Sequence, residues 1–182
     1  MPPSRNVSPI FRLISGRFYR AVLSERVDEV LDPPSPQSAG RYHRHGEPAL
    51  YMSPEPEWAI RAIAGYMRAD GKARMLVPLL VTEAMVLDQH DEALCDRLGI
   101  DRTQSNTSWQ TVLEAGGEPP SWRTSDIARA SGADGIIDPS RNIPRGWHLD
   151  LFRWNELGGP TVEVTGGPVK IRLSATGGKW DL

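Results

Sequence analysis

Among 182 residues the chain has a single cysteine, Cys95. One thiol excludes an intramolecular disulfide and any zinc knuckle built on cysteines, and it suits a reducing compartment such as the cytosol. Long apolar runs are missing too. No window of about 18 apolar residues occurs, so no helical membrane span is expected. The leading segment, polar and rich in proline, has no apolar stretch of the kind that directs secretion, and the expectation is a cytoplasmic protein. An excess of one charge is also lacking. With 21 Lys and Arg against 23 Asp and Glu the net charge is -2, and nothing in that balance draws the chain to nucleic acid or to an anionic membrane. The familiar catalytic signatures are absent as well: there is no Walker motif, no GxGxxG after a strand, no HExxH and no GxSxG elbow.

What is present suffices for one domain with its own core, expected from residue 10 to 182 after a loose lead over residues 1–9. Hydrophobic periodicity gives an α+β order, a mixed β-sheet core with flanking helices. Residues 11–22 read as one or two short strands and carry Arg20, while residues 32–40, with three prolines, read as loop. A short strand over 49–52 leads into a helix with Ser53 as N-cap, Pro54 in its first turn and an end near residue 69. Trp58, Ala59, Ala62, Ile63, Tyr66 and Met67 form its apolar stripe, with Ala62 in the middle. Residues 75–81 read as a buried central strand, with a second segment at 85–87. Helices are expected at 91–98, 108–115 and 125–130, then strands at 135–137, 148–152, 161–165 and 169–173. Gly-Gly pairs starting at 158, 166 and 177 punctuate the late turns.

The first third of the chain holds the densest set of candidate site residues: Arg20, then Gly40-Arg41-Tyr42, then Tyr51. Two guanidinium forks and an aromatic face in one cleft suit a dinucleotide, the forks for its diphosphate and the ring for a base. His43 and His45 lie two apart, but no cysteine or third histidine stands near, so no metal is expected. Cys95 with His90 lacks an orienting third group, and a core cysteine is the better reading.

The order and spacing of FYRA, GRYHRHGEPALYMS, ADGIIDPSRN and HLDLFRW, from about Arg20 to Trp154, resemble the RES domain, the toxin half of bacterial Res/Xre toxin–antitoxin pairs. The resemblance implies a fold like that of the diphtheria-type ADP-ribosyltransferases. It implies NAD+ as substrate, with ADP-ribose passed to a protein target, or to water or phosphate, and growth arrest as the result. It also implies a cognate Xre-type antitoxin as partner.

By that resemblance Arg20 and Arg41 hold the diphosphate or ribose, and Tyr42 falls within the Gly-Arg-aromatic segment of the dinucleotide site. Tyr51 packs on nicotinamide, and the Ser140 hydroxyl bonds the ribose or amide. Singly, each has a plainer reading: a surface Arg20, a core Tyr51, a Ser140 that caps a Pro-Ser-Arg turn. The family glutamate falls at position 62, which is Ala62, and Glu47 and Glu83 are the carboxylates considered as its replacement. Three readings therefore stand: an NAD+-consuming toxin working without that carboxylate, a catalytically impaired domain that only binds its antitoxin, and a non-enzymatic interaction domain.

Overall fold

The computed structural model describes residues 8–173 and 180–181. Most of the expected N-terminal lead and the Gly-Gly pair at 177 lie outside them. The elements run β1 (Arg12–Leu23), β2 (Leu50–Met52), α1 (Pro56–Asp70), β3 (Arg74–Asp88), α2 (Glu92–Leu98), α3 (Trp109–Glu114) and α4 (Ser121–Ala130). Then follow β4 (Gly135–Pro139), β5 (Trp147–Leu151), β6 (Thr161–Val164), β7 (Val169–Lys170), β8 (Arg172–Leu173) and β9 (Trp180–Asp181), with 3-10 turns at Ser24–Glu29 and Arg102–Asn106. The fold is α+β, as the periodicity predicts.

The main sheet has the order β1-β3-β4-β5-β2, with β6 and β7 also on β3. β3 and β4 pair in parallel and the other ladders are antiparallel, so the sheet is mixed. β3 is its spine. The two strand segments expected at 75–81 and 85–87 are one strand with an irregularity between them, where the β1 register jumps from Ile14 opposite Ala84 to Gly16 opposite Val81. Glu83 sits in that bulge with φ 58°, and its N–H donates to Ser15 Oγ at 2.8 Å.

The far edge of the sheet returns to its beginning. Tyr19 N–H donates to Ser53 O at 2.8 Å, and Ser53 N–H donates to Tyr19 O at 2.9 Å. Through this bridge β2 lies back against β1, and the curled sheet encloses Phe18, Leu50, Met52, Val77, Ile137 and Leu149.

The bridge also explains where α1 starts. Ser53 was expected as its N-cap, but its backbone serves the sheet and its Oγ meets His148 Nδ1 at 2.8 Å, so the helix begins at Pro56 with Glu55 before it. The buried residues of α1 are Ala59, Ile60 and Ala64, whereas Ala62 and Tyr66 are exposed. The expected stripe is thus turned, because Ile60 takes the core position. α4 starts at Ser121, four residues before the expected 125, and its first turn binds the loop before β2. The strand expected over 169–173 is divided at Ile171 into β7 on β3 and β8 on β9.

β4 and β5 approach so closely at Gly135 that a Cβ there would lie 2.1 Å from Asp150 O. Gly65, on the exposed side of α1, has nothing within 4 Å of an added Cβ. Gly135→Ala should therefore cost roughly 2–4 kcal/mol in urea unfolding, while Gly65→Ala should stabilise by roughly 0.5–1 kcal/mol. Equal effects of the two substitutions would contradict this packing.

Candidate functional site

Strand alternation gives β2, β5 and β4 two different faces. Leu50, Met52, Leu149, Leu151 and Ile137 point into the core, while Tyr51, Ser53, His148, Asp150 and Asp138 floor a cleft of about 660 Å³. α1 forms one wall with Ala62 and Tyr66, and the loop before β2 forms another with Gly40, Arg41 and Tyr42. Arg20 enters from β1 and Ser140 from the end of β4. Every residue expected at the site lines this one cleft.

Arg20 follows Tyr19, whose backbone makes the sheet-closing bridge. Its Nε and Nη1 are sealed from solvent and have no hydrogen-bond partner. Burial lowers its pKa to about 10, so it remains a cation at neutral pH. Leaving such donors unpaired is costly unless a ligand satisfies them.

The loop carrying Arg41 and Tyr42 is held by α4. Trp122 Nε1 donates to Gly40 O at 2.8 Å, Ser121 Oγ donates to Arg41 O, and Arg129 Nη2 donates to Pro48 O at 3.2 Å. Arg44 adds an ion pair to Asp126 at 2.6 Å and stacks 5.0 Å from the Trp122 ring centre. Gly40 lies so near the site that a Cβ would stand 2.4 Å from the His43 ring and 2.9 Å from Tyr51 Oη.

Tyr51 is pinned at its hydroxyl, which accepts the Tyr42 N–H at 3.1 Å and meets His43 Nδ1 at 2.8 Å. Burial raises the Tyr51 pKa and lowers that of His43 to about 4, so both are neutral near pH 7. Tyr42 differs from the expectation of a ligand-facing ring. It is wholly buried, and its hydroxyl donates to Asp138 Oδ1 at 2.6 Å, so it holds a carboxylate rather than offering an aromatic face. Ser140 N–H donates to Gly146 O at 2.8 Å, closing the loop between β4 and β5, and the residue also lines the cleft.

The carboxylates considered as replacements lie elsewhere. Glu47 accepts the Arg44 N–H at 2.8 Å, Glu83 is in the β3 bulge, and neither lines the cleft. The acids that do line it are Asp138 and Asp150, which sequence reasoning passed over. Their signal was a charged residue inside an apolar strand, in GIIDP and WHLDL. His43 is buried and His45 exposed, and among the described residues no group of three His, Cys, Asp or Glu is placed to hold a metal. Cys95 is buried in a core cluster with Leu94 and Ile100, while His90 is exposed and pairs with Asp88 at 2.8 Å.

His148 also titrates near 4 in the fold, through burial and then Arg41. The unfolded chain protonates these histidines below about pH 6.5 while the folded chain does not, so both withdraw stability as pH falls from there towards 4. Asp138 acts oppositely, since its folded carboxyl takes its proton at about 6, before the unfolded chain does. Comparison of variants therefore isolates the histidine effect. His148→Asn should flatten the acid-side fall of the urea midpoint relative to wild type, and an unchanged slope would contradict the buried neutral imidazole.

A family model described as the RES domain matches residues 10–172. Among solved structures, the chain is similar to one described as the crystal structure of the M. tuberculosis MbcT-MbcA toxin-antitoxin complex, with a TM-score of 0.61 and 16% identity over 88% of this chain and 86% of that one. At that identity the likeness speaks for the fold. No curated protein matches the chain in sequence. With the family model spanning β1 to the start of β8 and the cleft between its ends, the chain belongs to the RES domain family.

Proposed function

We propose that this chain is the toxin of a toxin–antitoxin pair and that its cleft takes NAD+, breaking it at the nicotinamide ribose and passing ADP-ribose to a protein target, or to water or phosphate. The observation that carries the reading is Arg20, which lines a cleft with Arg41 and Tyr51 and whose buried Nε and Nη1 have no partner within the fold. An anionic ligand with forked oxygens satisfies such a group, and a diphosphate has that geometry.

Each wall has a part in the chemistry. Arg20 and Arg41 grip the diphosphate, Tyr51 offers its ring to nicotinamide, and the Ser140 hydroxyl reaches the ribose or the carboxamide. The glycosidic bond breaks with its electron pair passing to the pyridinium nitrogen, so nicotinamide leaves neutral and needs no acid. The cation at C1′ accepts a lone pair from the acceptor, whose proton passes to solvent. Holding the dinucleotide rigidly beside oriented dipoles is the protein's main contribution.

Ala62 stands where the resemblance places the family glutamate, and it is exposed on the cleft wall. Loss of one such stabilising group costs about 3 kcal/mol, on the order of a hundred- to a thousandfold in rate. Transfer to a chosen protein tolerates that rate better than bulk destruction of NAD+, because a few modified targets suffice. Ala62 also supports a second reading, an impaired domain that acts by binding its antitoxin. An Xre-type antitoxin would silence the active form by placing a carboxylate or a chain terminus on Arg20 and Arg41.

Arg20→Ala should abolish NAD+ binding measured by calorimetry and the release of nicotinamide measured by chromatography, with little change in unfolding midpoint. Arg20→Lys should not restore them, because an ammonium lacks the planar fork. Unaltered binding in Arg20→Ala would remove the reading. Ala62→Glu, entering an open cleft rather than a dry core, should raise NAD+ turnover on the order of a hundredfold at near-constant melting temperature. A stable Ala62→Glu variant with no gain would count against the register of α1 on the site.

A further inference from the structure

Three carboxylates are buried in and beside the sheet: Asp134, Asp138 and Asp150, at 0%, 4% and 1% exposure. Asp134 is structural. It accepts the Met85 N–H at 2.7 Å and Arg153 Nε at 2.6 Å, joining β3 to the segment after β5. The other two are differently placed. Asp138 lies opposite His148 and Asp150 opposite Ile136, so they are diagonal neighbours on the cleft face, with Tyr51 opposite Asp150 on β2. Asp138 accepts from Tyr42, but Asp150 Oδ1 is sealed from solvent and has no hydrogen-bond partner. Two acids buried side by side with an oxygen left over do not stabilise a fold, which points to a ligand.

The charge of the pair follows from its neighbours. Burial and then the charge of Asp138 push Asp150 well up, while burial lifts Asp138 to about 6 against the opposing effects of Tyr42, Arg41 and His90. Tyr42, Tyr51 and His148 face the pair as neutral groups near pH 7, and the Arg41 guanidinium favours ionisation of both acids. Such a pair holds one proton and one negative charge. A grip on the diphosphate cannot distinguish oxidised from reduced dinucleotide, because that part of the molecule is the same in both. Only the nicotinamide end differs, a cation in one and neutral in the other.

We propose that Asp138 and Asp150 together make the cleft selective for the oxidised dinucleotide, receiving its pyridinium cation across from Tyr51 while Asp150 Oδ1 bonds a hydroxyl of the adjoining ribose. The inference rests on the NAD+ reading above. It makes the acid pair a specificity device, distinct from the arginine grip.

The test is binding of carba-NAD+, whose carbocycle resists cleavage, of its reduced form, and of ADP-ribose, by calorimetry on the whole chain. At about pH 7.5 the wild type should prefer the oxidised form by roughly ten- to a hundredfold. Asp150→Asn leaves the charged Asp138 and should keep most of that preference, whereas Asp138→Asn should weaken it, since burial still holds the proton on Asp150. The double variant should lose it, binding the oxidised and reduced forms alike. In wild type the preference should also fade below about pH 6, as Asp138 protonates, and this series decides the matter if the double variant does not fold. Equal affinity of the wild type for both forms, or a preference that survives in the double variant, overturns the inference and leaves the NAD+ reading standing. Failure of the wild type to bind any of the three ligands overturns both.

Discussion

The site depends on two backbone hydrogen bonds. The Tyr19–Ser53 bridge brings the β2 edge of the sheet back to β1, and only through it does Arg20, on the first strand, share a cleft with Tyr51, thirty-one positions later. The same bridge removes Ser53 from the helix cap, so that α1 begins at Pro56. Strand alternation does the rest, since closure of the sheet sends Leu50 and Met52 inward and leaves Tyr51 and Ser53 on the cleft floor.

Around that closure the molecule separates rigid support from open charge. The Gly40–Pro48 loop has its carbonyls taken by Ser121, Trp122 and Arg129, and its histidine is fixed on Tyr51, so the aromatic floor is set before any ligand arrives. Arg20, by contrast, keeps two donors unused, and Asp150 keeps an acceptor unused. Unsatisfied polar atoms of both signs within one cleft are a poor way to stabilise a protein and a good way to receive a molecule that is anionic at one point and cationic at another. NAD+ is such a molecule.

Much of this was legible in the sequence because it follows from local pattern. The α+β order, strand over residues 11–22, the loop at 32–40 and the helices that follow Asp91 and Ser108 all come from short-range signals. Arg20, Arg41, Tyr42 and Tyr51 stand out as a set suited to a dinucleotide, the resemblance adds Ala62 and Ser140, and all six line the cleft. What local pattern could not show was set by tertiary contacts. The N-cap of α1 was lost to the sheet, the α1 stripe turned because Ile60 took the core, and Tyr42 went inward because Asp138 waits there for its hydroxyl. Asp138 and Asp150 were overlooked because a lone Asp in an apolar strand is informative only once its neighbours across the sheet are known.

The central claim is that Arg20 waits for a diphosphate. Arginine Nε–H resonances in ¹⁵N-labelled protein, with Arg20 assigned by its loss in Arg20→Lys, report that contact directly. Addition of ADP-ribose or carba-NAD+ should move the Arg20 Nε–H signal strongly, while nicotinamide or adenosine, lacking phosphate, should leave it in place. An Arg20 signal that ignores saturating ADP-ribose and carba-NAD+ would contradict the proposed site.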